Sequence, residues 1–405
     1  MGLTKNISFN TFGVLVQMIV PLAIIPILTN EMGLSDYGKY MAILGLVGLL
    51  TVLADLGLDM FVTKEIAGDL LESERLMASF FWIKLTTCFV AIPGFILAWT
   101  MLDQTNGLDI LIYASMLFIG LNLRPTALFN GLEKYLENMI FEVAGKLFFL
   151  ITVLLSVKNG MTVSEILRIN GYIALLTTGV MLSFLILQKH LKLNATNVYL
   201  CIAVVYRSFE FYMSRLLLNI YMKSSVFFCS LLLPAYETGI YSVCIQLYKV
   251  GQSFIGAVAR VLYTSTAKTK DVNKVNTAAF FTLSLQAGLL VVIIPYGSQI
   301  IEFLLNIKDP MVFEISIYFY FSLFFVTIGS YYGYPVMVPF GKERYAHAGI
   351  FFGSIVYYLF LFLFWVVGLV NIYSMVVLVL LVDASCAALR FYFYYFKVRS
   401  DVVAL

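Results

Sequence analysis

Long apolar runs separated by short polar stretches recur from one end of the chain to the other. A helix needs roughly 20 apolar residues to cross the hydrocarbon of a bilayer. Runs of that kind fall near 8–28, 38–58, 78–101, 108–128, 137–157, 169–188, 209–233, 240–262, 279–305, 315–336, 347–369 and 372–395. They are longer than a barrel strand and lack strict apolar/polar alternation, which excludes a β-barrel. The pattern predicts an all-α integral membrane protein with about 12 transmembrane helices. The polar connections are too short to hold an extramembrane domain.

Composition agrees. Of 405 residues, 61% are hydrophobic and only 12% charged, with a mean hydropathy of +0.93. A soluble domain is nearer half apolar and a quarter charged. So few charges cannot coat a water-facing surface of this size, and a chain this apolar is not disordered. A net charge of +3 gives no basis for a nucleic-acid partner. Cys88, Cys201, Cys229, Cys244 and Cys386 are scattered without a C-x-x-C pair, so no disulfide framework or metal site is expected. Lys5 precedes an apolar run without a small-residue cleavage site, which argues against a removable signal peptide.

Basic residues set the orientation. With the N-terminus cytoplasmic, the inside segments hold most of the Lys and Arg, among them Lys134, Lys189, Lys192, Lys268, Lys270 and Lys342. The other side holds only Lys39, Lys158, Arg168 and Lys308. Loops rich in Lys and Arg stay inside, so both termini are expected in the cytoplasm.

The chain also repeats itself. Asp36-Tyr37-Gly38-Lys39-Tyr40 follows the first span, and Glu237-Thr238-Gly239-Ile240-Tyr241 follows the seventh. Pro93 in the third span is matched by Pro295 in the ninth. Pro125 with Gly131-Leu132-Glu133-Lys134-Tyr135 returns as Pro335 with Gly341-Lys342-Glu343-Arg344-Tyr345. Matches in the same order predict two six-helix bundles, 1–195 and 196–405. Six spans per half give both halves the same orientation. Parallel repeats of this kind rock around a central cavity to expose it to alternate sides.

These residues resemble a known family. Leu34-Ser35-Asp36-Tyr37-Gly38-Lys39-Tyr40, Ala54-Asp55-Leu56-Gly57-Leu58 and Lys64-Glu65-Ile66-Ala67 resemble the N-terminal half of polysaccharide-transporter proteins. That group includes the O-antigen flippases of the multidrug/oligosaccharidyl-lipid/polysaccharide exporter superfamily. Glu237 to Tyr241 is similar to its second-half counterpart. The resemblance implies a bacterial inner-membrane flippase. It would turn an undecaprenyl-pyrophosphate-linked O-antigen or related polysaccharide unit to the periplasmic leaflet by alternating access. The polysaccharide polymerase machinery is the implied recipient. No cofactor is implied, and a proton or sodium gradient is the energy source left open.

Two other readings stay open. One is a multidrug/cation antiporter of the same superfamily. Its members often carry a carboxylate in the first helix, where this chain offers only Asn10, Thr11 and Gln17. The other is a membrane enzyme of polysaccharide assembly, a polymerase or glycosyltransferase. Against it stand the short external loops and the lack of H-E-x-x-H, G-x-S-x-G or Walker motifs. The chain is therefore expected not to be an enzyme.

Ionisable residues at depth are costly and mark function by default. Lys223 and Lys249 fall near mid-membrane in the seventh and eighth spans, with Arg215 nearer the cytoplasm. They are the candidates for a pyrophosphate or acidic sugar. Snorkelling, or pairing within the bundle, is the plainer alternative. Asp383, half-way along the twelfth span, is expected to pair with Lys249 or Lys223, or else to be a protonatable coupling residue. Asp55 and Asp59 have Lys64 or Lys84 as partners, and Glu142 and Lys146 stand at helical ion-pair spacing. Pro21 and Pro26 in the first span are candidate bending points. Gly349-x-x-x-Gly353 is expected to serve contacts within the bundle.

Overall fold

A computed structural model describes residues 3–68, 73–101, 108–156 and 160–399. Side chains are described within these ranges except at 3–18, 73, 97–101, 210–211, 213–215 and 217–224. Among the described residues every regular element is helical. The first eight helices are α1 (Leu3–Asp55), α2 (Leu58–Gly68), α3 (Ser73–Met101), α4 (Leu108–Asn122), α5 (Thr126–Gly131), α6 (Tyr135–Ser156), α7 (Val163–Leu187) and α8 (Val198–Leu232). The remainder are α9 (Ala235–Thr269), α10 (Asn273–Leu305), α11 (Pro310–Tyr331), α12 (Tyr334–Met337), α13 (Glu343–Val367) and α14 (Ile372–Phe393). The chain is a multi-pass membrane protein.

Among the described residues, nine helices are long and apolar enough to cross a membrane, against the twelve spans expected. The first two expected spans run together in α1. That helix continues through Pro21 and Pro26 and breaks at Gly33 instead, where φ is 76° and ψ 166°. The bend thus uses a residue without a Cβ, for which positive φ costs little. The seventh span lies in α8, where most mid-helix side chains fall outside the described residues. The eighth is α9, whose apolar character is diluted by Glu237, Lys249, Gln252, Arg260 and several Ser and Thr.

The backbone divides into two compact units, Met1–Leu231 and Leu232–Leu405. Its dividing point lies beyond the expected boundary at 195, because α8 packs onto α1. A Cβ at Gly45 would lie 2.8 Å from the Phe227 backbone nitrogen, and one at Gly57 would lie 2.5 Å from the Ser208 carbonyl oxygen. Only glycine admits a neighbouring backbone so closely.

Within the first unit α4 packs most extensively on α7, and α1 on α6 and α4. The α4–α7 contact depends on Gly120, whose missing Cβ would stand 2.7 Å from the Ala174 carbonyl carbon. Thr178 Oγ1 donates to the Gly120 carbonyl at 2.6 Å. Below these helices, Leu58, Phe61, Val62 and Ile66 of α2 join Phe80, Leu128, Phe129 and Leu185 in a fully apolar core.

The second unit repeats the scheme. Its most extensive contacts are α11 with α14, α13 with α14, and α9 with α11. The helix corresponding to α4 by the sequence repeat is α11, and that corresponding to α7 is α14, so the dominant contact is the same in each unit. The short α5 follows Pro125, and the short α12 contains Pro335. Tyr40 and Tyr241, the last residues of the repeated motif, are both buried in their own units. Asn170 donates to Tyr40 Oη at 2.9 Å, and Tyr241 packs edge-on to Phe319. Gly349 and Gly353 face α14, where Cβ atoms would meet Arg390 Cγ at 2.8 Å and Val382 Cγ1 at 3.3 Å.

Arg390 is 6% exposed. Its guanidinium donates to the Ala346 carbonyl at 3.2 and 3.1 Å and to the Gly329 carbonyl at 2.8 Å. It thereby ties α14 to the end of α11 and the start of α13.

Gly120→Ala is expected to lower stability by about 1–3 kcal/mol, because the added methyl must push α4 from α7. Gly179→Ala, on the same α7 but with open space around it, is expected to be neutral or slightly stabilising. Thermal unfolding of the two detergent-solubilised variants checks the contrast.

Candidate functional site

The site begins at a turn. Helix α1 ends at Asp55, and Leu56 and Gly57 both take left-handed backbone conformations, with φ of 51° and 75°. Gly57 bears the tighter demand, since a Cβ there would also strike the Tyr212 backbone nitrogen at 2.6 Å. The turn brings the first acidic residue of α2, Asp59, back to Asp55: its N–H donates to Asp55 Oδ1 at 3.3 Å. Lys84 of α3 answers both carboxylates. Its Nζ lies 2.6 Å from Asp55 Oδ1 and 3.1 Å from Asp59 Oδ1, and the residue is 3% exposed. A buried ammonium in a membrane helix is stable only with such partners.

Two further groups complete the wall. Asn122, at the end of α4, is 3% exposed. Its Nδ2 donates to the Lys84 carbonyl and to Thr87 Oγ1, each at 3.1 Å, while its Oδ1 is buried with no partner. Arg124 donates through Nη1 to Glu142 Oε2 of α6 at 3.0 Å, and its Nε is likewise buried and unpartnered. Thr126 Oγ1 lies 3.4 Å from the other Glu142 oxygen. Asp55, Asp59, Lys84, Asn122, Arg124 and Thr126, together with Thr51, Tyr212 and Leu216, line a cavity of about 460 Å³.

The other face of the same helix end is apolar. Leu53, Ala54 and Leu56 alternate with the cavity residues Val52, Asp55 and Gly57 and open onto a groove of about 1320 Å³. Ile83, Val90 and Gly94 of α3 and Val198, Ile202 and Phe209 of α8 complete the groove.

Asp55 takes Lys84, one of its two expected partners. Glu142 pairs with Arg124 and not with Lys146, for which no ion pair is found among the described residues. The helical spacing was right, but Glu142 turns toward the break between α4 and α5, where a stronger forked donor waits. Asp383 is buried and accepts a hydrogen bond from Tyr248 Oη at 2.5 Å, which in turn accepts from Gln252 Nε2 at 2.6 Å. No ion pair joins Asp383 to Lys249, and none is found for Lys249 among the described residues. The side chains of Lys223 and Arg215 lie outside the described residues. Nothing in the sequence pattern alone singles out Arg124, Tyr212 or Arg390. An amide closing an apolar run, two residues before a repeated proline, was the available signal for Asn122.

Residues 3–270 match the family described as polysaccharide biosynthesis protein. The chain belongs to that family. The chain is also similar in fold to solved transporters. A structure of the lipid II flippase MurJ in an inward closed conformation superposes with a TM-score of 0.73 at 13% identity, covering 98% of this chain and 89% of that one. The eukaryotic MATE transporter AtDTX14 gives 0.58 at 14% identity over 98% of both chains. An outward-facing multidrug resistance MATE transporter of the MOP superfamily gives 0.56 at 14% identity over 99% and 96%. No curated protein matches the chain. The fold is one shared with these solved transporters.

Lys84→Met is expected to destabilise the protein by about 3 kcal/mol, since it removes the cation from Asp55, which has only 25% of its side chain exposed. Adding Asp55→Asn should recover part of that loss. Thermal unfolding in detergent reads both, and a Lys84→Met protein that melts like the wild type would contradict the pairing.

Proposed function

We propose that this family member is a flippase for a lipid-linked saccharide. One observation carries the reading: the end of α1 has a polar, ion-paired cavity on one face and an apolar groove on the other. A lipid-linked saccharide has those two parts. Its head must pass through a region where each unsatisfied polar group costs several kcal/mol. Its polyprenyl tail is at home in hydrocarbon throughout. A cavity with fixed charges and amides replaces water for the head, and the groove lets the tail stay among apolar side chains. The similarity in fold to a solved lipid II flippase supports the same reading.

In its finer form, the substrate is an undecaprenyl-pyrophosphate-linked O-antigen or related polysaccharide repeat unit. It is carried from the cytoplasmic to the periplasmic leaflet of a bacterial inner membrane by alternating access and delivered to polysaccharide polymerase machinery. Lys249 answers the pyrophosphate, with Lys223 and Arg215 as the further cations. The support for Lys249 is a cation in a membrane helix with no ion pair among the described residues. Asp383, held by Tyr248, is the candidate for coupling to a proton or sodium gradient.

Deleting the gene in its native host is expected to abolish surface polysaccharide, with restoration by the wild-type gene. Lys249→Ala should restore at least about tenfold less, the cost of one charge-assisted contact. Surface polysaccharide that persists after deletion in a host without a second carrier would refute the flippase.

A further inference from the structure

We infer that the polar cavity of the first unit is a saccharide subsite, which takes a neutral sugar through its hydroxyl and amide groups while the pyrophosphate binds elsewhere. This rests on the flippase reading and names the part of the substrate the cavity holds.

Charge comes first. Asp55, Asp59 and Glu142 face Lys84 and Arg124, three carboxylates against two cations, and both cations are already engaged. Lys146 brings the balance only to neutral. Among the described residues that line the cavity, both cations are already paired, and the carboxylates would repel a phosphate.

The unpartnered atoms then define the ligand. Asn122 must turn Nδ2 toward the Lys84 carbonyl, which can only accept, and this leaves Oδ1 as a buried acceptor. Arg124 Nε–H is a buried donor. The ionised pyrophosphate diester of a lipid-linked sugar has no O–H to donate to Asn122 Oδ1. A metal cation satisfies Asn122 but not Arg124. A group that donates and accepts at once satisfies both, and each sugar hydroxyl or acetamido group does so. The Tyr212 ring adds an apolar surface for the C–H face of a pyranose. The volume of about 460 Å³ lies within the roughly 300–1,000 Å³ of pockets that hold small organic ligands.

The test uses the full chain purified in detergent, with N,N′-diacetylchitobiose and inorganic pyrophosphate as separate probes. Dissociation constants are measured by saturation-transfer NMR titration. Arg124→Lys keeps a cation opposite Glu142 but has no Nε–H, and Asn122→Leu removes the acceptor. Each is expected to weaken chitobiose binding about tenfold, the effect of one unmet buried hydrogen bond, and to leave pyrophosphate binding unchanged. Melting temperatures near the wild-type value qualify the variants, and Arg124→Lys stands alone if Asn122→Leu does not fold. The subsite is overturned if the wild type binds no chitobiose, if the variants bind it as the wild type does, or if they lose pyrophosphate instead. The two proposals fail separately. Chitobiose binding that follows Asn122 and Arg124, with export intact after gene deletion, removes the flippase and keeps the subsite. Export that depends on the chain, with chitobiose binding indifferent to both residues, removes the subsite alone.

Discussion

Lys84 carries a charge on a helix made to lie in hydrocarbon, and the local structure of the first unit is arranged around meeting it. Asp55 at 2.6 Å and Asp59 at 3.1 Å answer it together. Bringing both carboxylates to one ammonium requires the chain to reverse between them, through left-handed Leu56 and Gly57. The same Gly57 leaves room for the α8 backbone beside the turn. One ammonium with its two carboxylates therefore joins the end of α1 to the start of α2, and Gly57 in the turn between them seats α8. The polar cavity and the apolar groove are the two sides of that junction.

The second unit solves its polar problems without ion pairs among the groups described above. Asp383 is held by a tyrosine hydroxyl, and Arg390 by the carbonyls of Gly329 and Ala346. Carbonyls near helix ends are natural partners for a buried guanidinium, because their intrahelical hydrogen bonds are incomplete. The two units thus keep a common packing scheme, α4 on α7 and α11 on α14, while their buried polar chemistry has diverged. The first unit holds a charged cavity. The second uses its buried charge to clamp helices.

The repeated motifs illustrate how sequence and structure divide the account. Tyr40 and Tyr241 could be read as interfacial anchors, yet both are buried, one under an asparagine and one against Phe319. The matching prolines at 125 and 335 do mark equivalent short helices. A proline constrains its own backbone wherever it stands, so its effect is legible locally. A tyrosine takes its role from what packs over it.

The amino-acid sequence by itself determined the class of the protein and its helical, membrane-spanning character. Those follow from composition and from periodicity over about 20 residues, which no tertiary contact can override. It also marked Asp55, Glu142, Lys249 and Asp383 as charges in costly places. The tertiary structure alone decided their company. Glu142 bonds to Arg124 rather than to the lysine one turn away, and Asp383 accepts from Tyr248 with no ion pair to Lys249. Asn122 and Arg124 become candidate ligand groups only because folding leaves Oδ1 and Nε buried without partners. Which polar atoms are satisfied depends on directions and distances between helices far apart in sequence, and these exist only once the bundle has packed.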